Sequence, residues 1–331
     1  IPMSASANIN NELYGVSFNA TITIQNSIDI TEDTNRNGIP DDIENTSEGT
    51  LVVHQKIDFF KFGKKPSVDV RIAPFTKEVT KITAASEFNN FETCSETEIN
   101  GNILFKVHKD FDIGCKQSSN TKLSLAETTR LEANKINNEN GIMTLLGQIK
   151  TDEFINSGTF IANKKSKINA NDIINQVPGI ITVNDNSELI AKTAVIDSKY
   201  EQTGENSISR FEKVTVGSDC SSASESEFIL SKGTVYLNEL TINNCAKTTI
   251  GAINLKDLNK VTGEFITNGT NLEIGPTVTN NIQSLSSSEL KSSNSLTGLI
   301  KHHTEIVGNF MQKYGSEENL SNLTINLNSN R

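Results

Sequence analysis

Short apolar strands, each led by a turn carrying Gly or Asn, recur along most of the chain. The stretch Phe154-Ile155-Asn156-Ser157-Gly158-Thr159-Phe160-Ile161-Ala162 is the clearest example. Related strands begin at Gly49, Gly101, Gly141, Gly158, Gly179, Gly233, Gly251 and Gly263. The steps among 141, 158 and 179, and from 233 to 251, approximate one repeat. Those from 49 to 101 and from 179 to 233 are multiples or contain insertions. Gly tolerates positive φ at a corner, Asn tolerates the left-handed region, and Asn side chains stack in ladders. An alternating strand then turns one face inward. Strands this short bury too little alone, but coils stacked in parallel share one continuous core.

The pattern therefore predicts an all-β fold, a parallel β-helix (β-solenoid), over residues 1–280. A pair of β-sandwich domains is the competing architecture, with similar strand lengths and turn spacing. Asn/Gly corners and evenly spread hydrophobicity favour the solenoid, whereas the irregular spacing favours the sandwich. Residues 1–15 read as a polar lead-in. Val16, Phe18, Ala20, Ile22 and Ile24 alternate with polar residues and predict a strand.

Residues 281–331 read as a small C-terminal cap or subdomain. A Ser-rich run from Ser284 to Ser295 precedes apolar residues at helical spacing, Leu299, Ile300, Ile306, Val307, Phe310, Met311 and Tyr314, with Gly315 as a stop. Solenoid ends need such a cover. Leu323, Ile325 and Leu327 suggest a last strand.

Rhythm breaks at Asp33-Thr34-Asn35-Arg36-Asn37-Gly38-Ile39-Pro40-Asp41-Asp42-Ile43-Glu44, which fits the pattern D-x-[DN]-x-[DN]-G-x5-E in full. Such a loop converges oxygen ligands on calcium. Asp33, Asn35 and Asn37 offer side chains, Ile39 its carbonyl, Asp41 a direct or water-mediated contact, and Glu44 a bidentate carboxylate. Gly38 makes the sharp turn. The loop resembles those of thrombospondin type 3 repeats and dockerins. No amphipathic helix flanks it, so it reads as an insertion on a β scaffold. Two Asn among its ligands imply an extracellular-type affinity, about 10⁻⁴–10⁻³ M.

The four cysteines, Cys94, Cys115, Cys220 and Cys245, fall into two pairs separated by about one coil. Coils stack at strand spacing, about 4.8 Å, and a disulfide needs Cα atoms roughly 4.4–6.8 Å apart. Three connectivities exist for four cysteines; the spacing favours Cys94–Cys115 and Cys220–Cys245. Asn-X-Ser/Thr glycosylation sequences stand at Asn19, Asn45, Asn268, Asn319 and Asn322. Together these point to a secreted glycoprotein. The chain begins at Ile1 without a signal peptide, which suggests a processed or trimmed start.

Composition narrows the partners. Hydrophobic residues make up 35% of 331 residues, Trp is absent, and the net charge is −10. An acidic surface without clustered Lys and Arg argues against nucleic acid. No apolar run is long enough to span a membrane. The His residues, His54, His108, His302 and His303, form no metal or catalytic signature, and no nucleophile or phosphate-binding motif is present. A non-enzyme is expected.

Coils such as FINSGTFIA and ILSKGTVYL, with the coil-spaced cysteines and the Ser/Asn/Ile/Lys-rich composition, resemble the N-terminal domains of fungal adhesin-like, hyphally regulated cell-wall proteins. The resemblance covers about residues 90–270 and is one of pattern. It implies a right-handed β-helix displayed from the cell wall on a Ser/Thr-rich anchored stalk, of which this chain is the head. The expected partners are a surface glycan, an extracellular-matrix protein or an abiotic surface. The calcium loop suits bacterial surface adhesins equally. A carbohydrate-active β-helix enzyme, a polysaccharide lyase or hydrolase, is the alternative. A purely structural or phage-type solenoid is a third reading.

Overall fold

The computed structural model describes residues 79–262, apart from 119, 222–224, 244 and 259, together with 67–74, Glu32, Thr34 and Arg36. Beyond these it describes the strands Met3–Glu12, Gly15–Ile24, Asp29–Ile30, Ile266–Thr267, Asn271–Ile274 and Thr324–Leu327. The fold is all-β, a parallel β-solenoid, with no helix among the described residues. Two compact units divide the chain: Ile1–Ile161 with Ser166–Ile168, and Ala162–Lys165 with Asn169–Arg331.

Each regular coil joins a short four-residue strand to a long nine-residue one. Short strands such as Ile142–Leu145 alternate outward and inward, placing Met143 and Leu145 in the core. Long strands such as Gln148–Asn156 point inward at their second, fourth, seventh and ninth residues. Two consecutive outward residues, Asp152 and Glu153, bend the strand in the middle. The long strand therefore supplies two walls and the short strand a third, each with two inward side chains.

In the first unit, Lys122–Leu125 stacks between Glu96–Ile99 and Ile142–Leu145, and Arg130–Asn138 between Leu104–Ile113 and Gln148–Asn156. Among the described residues, its interior is aromatic between Phe88 and Phe111. Phe88, Phe91, Phe105 and Phe111 are fully buried, with ring centroids 5.1–5.9 Å apart. Burying each such ring contributes roughly 1.5–3 kcal/mol. Phe154 and Phe160, the two inward aromatic residues of FINSGTFIA, meet edge to face at 5.0 Å.

The polar lead-in expected at residues 1–15 is instead a strand, Met3–Glu12, paired antiparallel with Gly15–Ile24. Met3, Ala5, Ala7 and Ile9 do alternate with Ser and Asn; small Ala residues hid the period. Gly15–Ile24 confirms the predicted strand and leads by parallel pairing into Ser67–Ile72.

In the second unit, Ile180–Val183 stacks on Lys199–Gln202, and Glu188–Ile196 on Ile208–Val216. Short and long strands then fuse into Ser226–Ile242 and Ala246–Leu258, which run side by side in parallel. Tyr200 lies wholly inside, where its hydroxyl meets Ser209 Oγ at 2.8 Å. Ser209 in turn donates to Gln202 Oε1 at 2.6 Å, so the buried polar groups satisfy one another. Burial holds the Tyr200 phenol well above its usual range. Thr324–Leu327 pairs in parallel with Asn271–Ile274, in keeping with the predicted last strand. The helix expected after Leu296 lies outside the described residues.

Glycine is selected at the corners for two different reasons. Gly101 and Gly233 do hold positive φ, 106° and 95°. Gly141 and Gly158 do not, and are selected by crowding: a Cβ on Gly158 would lie 2.4 Å from the Gly141 carbonyl oxygen, one coil away, and that contact is to backbone. Gly233 and Gly251 are not equivalent positions either, because Gly233 faces Ile253 in the register. Gly141 and Gly158 precede short strands, whereas Gly147 precedes a long one.

Candidate functional site

Asp33, Asn35, Asn37, Ile39, Asp41 and Glu44, the proposed calcium ligands, lie outside the described residues. Among their neighbours, Glu32, Thr34 and Arg36 are exposed, and Arg36 takes a left-handed φ of 55°. Of the glycosylation sequences, Asn19 sits in the strand Gly15–Ile24, opposite Asn8 and Ser67. Asn45, Asn268, Asn319 and Asn322 are outside the described residues.

The cysteines pair as the spacing favoured. Cys94 and Cys115 lie 5.5 Å apart at Cα, and Cys220 and Cys245 5.4 Å apart, both at disulfide distance. Each pair guards an irregular coil. Arg130 faces Gln148 eighteen residues on, but Leu104 faces Arg130 twenty-six residues on, because an insertion follows Ile113. Likewise Ile208 faces Thr234 across the insertion holding Cys220. Insertion backbone lies outside the ladder, and the sulfur link ties it to the neighbouring coil.

A concave site on the first unit arises from a bulge. Val107 faces Ala133 and Asp110 faces Lys135, so His108 and Lys109 together oppose the single residue Asn134. Small inward residues beside the bulge, Ala133 and Thr151, leave the corner shallow. Thr151 Oγ1 donates to the carbonyls of Asn134 and Glu153, both at 3.1 Å, and fixes the bend. The resulting groove has a volume of about 220 Å³.

Two outward rows line it. Lys106, Glu132 and Lys150 occupy successive coils in register, and His108, Asn134 and Asp152 form the second row. His108 Nε2 meets Glu87 Oε1 in the preceding coil. Glu132 stands between two lysines, yet among the described residues no ion pair within 4 Å joins them. The adjacent corner differs: Lys135 pairs with Glu153 at 3.3 Å. The groove thus offers ammonium and amide donors beside carboxylate acceptors, with hydrogen-bonding capacity directed outward. Such a lining suits a small polyhydroxylated ligand.

A second polar feature lies on the neighbouring wall. Glu92 and Asp112 face each other on adjacent coils, with Asp110 two residues away. The Asp112 carboxyl is raised above its usual range, chiefly by burial and further by Asp110 and Glu92. The Asn137 amide, donating at 3.4 Å, opposes the shift. Glu92 also pairs with Arg71 at 2.8 Å.

Neither the groove nor this carboxylate pair was visible in the sequence. Lys106, Glu132 and Lys150 become neighbours only once a twenty-six-residue coil is followed by an eighteen-residue one. Among the described residues, no helix is long and apolar enough to cross a membrane. Compared with known protein families, curated proteins and solved structures, the chain matches none of them at significance.

Proposed function

We propose that this chain is the non-enzymatic head of a cell-surface or cell-wall adhesin that attaches to a surface glycan or matrix protein. The observation that carries this reading is the groove, where Lys106, Glu132 and Lys150 stand in register without pairing to one another. Charged groups left uncompensated at a concave surface favour binding polar ligands over internal stability. Cysteine pairs at disulfide distance fit an oxidising compartment, hence a secreted or surface location. Calcium at Asp33–Glu44 would stiffen the N-terminal region.

The test is binding of the purified chain to arrayed glycans and matrix proteins, with and without calcium. Glu132→Gln and Lys150→Gln should each weaken binding about tenfold or more, as expected for losing a hydrogen bond to a charged group. No binding, or binding indifferent to both changes, overturns the reading.

A carbohydrate-active enzyme is the second reading, favoured by Asp112 facing Glu92 with its proton held above the usual range. Carboxylates in unlike environments are the arrangement a general acid and base require. Incubation with pectin- and glucan-type polymers decides it: product release that disappears in Asp112→Asn supports an enzyme, and no release excludes it for those polymers.

A further inference from the structure

On the second unit, Arg210, Tyr236 and Lys256 occupy one outward row across three successive coils, Arg210 facing Tyr236 and Tyr236 facing Lys256. Arg210 Cζ lies 4.0 Å from the Tyr236 ring centroid and Lys256 Nζ 5.8 Å from it. Stacking on the ring holds the guanidinium plane in place while leaving its N–H edges free to donate. Glu188 accepts from the Nε edge at 3.4 Å, so the Nη end of the fork is directed away from that contact. Among the described residues, nothing hydrogen-bonds the Tyr236 hydroxyl. The row therefore presents a planar, preorganised donor fork beside a phenol and a second cation.

This is the chemistry that recognises an oxyanion on a sugar. A guanidinium end grips a carboxylate or sulfate through two parallel hydrogen bonds. Successive coils stand about 4.8 Å apart, so Arg210 and Lys256 are spaced about 10 Å along the row at the backbone. Two cations at that separation suit a polymer carrying repeated charges better than a lone ion. The chain as a whole carries a net charge of −10, which repels polyanions in general. Retention of one thus requires a local site.

We propose that the Arg210–Tyr236–Lys256 row binds an anionic polysaccharide, with Arg210 holding the sugar oxyanion and Tyr236 fixing Arg210. This proposal is independent of the groove around Glu132. Its test is retention of the full chain on immobilised polygalacturonate, a carboxylate source, and dextran sulfate, a sulfate source, with neutral dextran and duplex DNA alongside. Retention on at least one charged glycan, lost as salt rises, and none on dextran, is expected; which glycan retains the chain identifies the oxyanion. Arg210→Gln should weaken retention about tenfold or more. Arg210→Lys, which keeps the charge but not the fork, should weaken it too, and Tyr236→Leu should do so by releasing Arg210. Lys122→Gln, which removes an exposed cation outside the row, should leave it unchanged. Unaltered melting temperatures in the variants separate loss of binding from loss of fold. Failure of both charged glycans to retain the chain, retention indifferent to Arg210, or equal retention on DNA overturns the proposal.

Discussion

Asn138 donates its side-chain amide to Asn156 Oδ1 across one coil at 2.8 Å, and both residues are completely buried. Asn138 also closes its own turn by donating to the Gly141 carbonyl and accepting from the Gly141 N–H. Asn156 likewise donates to the Gly158 carbonyl at 3.0 Å. Each Asn thus satisfies a corner that the strand ladder leaves open.

Replacing Asn156 by Ala removes that corner bond and the buried Oδ1 to which Asn138 donates. The expected loss of stability is about 2–3 kcal/mol, the cost of leaving buried polar groups unsatisfied. Lys122→Ala, at an exposed strand position, should change it by less than about 0.5 kcal/mol. Urea midpoints for the two variants provide the comparison.

Gly158→Ala and Gly101→Ala separate two reasons for keeping glycine. At Gly158 the added methyl meets backbone at 2.4 Å, so the coils must shift, at a cost of about 1–3 kcal/mol. At Gly101 the nearest atoms are 3.8 Å away, and the cost is conformational, about 1–2 kcal/mol for a residue at positive φ. Crystal structures of the variants should show a displaced coil boundary in the first and an undisturbed one in the second.

Reducing the Cys94–Cys115 link, or replacing both cysteines by Ser, should cost about 3 kcal/mol for a loop of this length. The drop should appear in thermal melts with and without reductant. An unchanged melt would mean that the pair contributes no cross-link.

The pH dependence follows from Asp112. Its proton is held above the usual carboxylate range in the folded state, so the folded chain binds more protons than the unfolded one there. Stability contributed by this group therefore falls as pH rises from near 3.8 through the raised folded value, then levels off. Asp112→Asn mimics the protonated form. It should be more stable than the parent at neutral pH and equal to it near pH 3, as judged by melting temperature.

Calcium at 10 mM should stabilise the chain by about 1.4–2.7 kcal/mol if it binds with extracellular-type affinity. Glu44→Gln should abolish that gain. A melting temperature unmoved by calcium or chelator would remove the site from consideration.

The solenoid was legible in the sequence because most inward positions stay apolar from coil to coil; Phe154, Phe160 and Ala162 could be read as a wall without a partner in view. The cysteine pairs were legible for the same reason, their spacing being close to a coil. Corners were harder. Gly141 before a short strand and Gly147 before a long one look alike locally, and only pairing tells them apart. The functional surface was hidden because outward residues obey no inward constraint. Lys106, Glu132 and Lys150 are unremarkable until insertions are counted and the register set, and the bulge at His108 and Lys109 has no composition signal.

The cysteine pairs also bear on what happens under tension. A solenoid pulled from its ends unravels coil by coil, each released residue adding about 3.3–3.6 Å of length. Cys94–Cys115 and Cys220–Cys245 lie 21 and 25 residues apart, so the links withhold roughly 70 and 85 Å of extension. The Cys220–Cys245 segment contains part of an insertion and the Cys94–Cys115 link ends at the start of one, and insertions have the fewest ladder bonds to resist a pull. In a force-extension trace, reductant should lengthen the chain by those two increments.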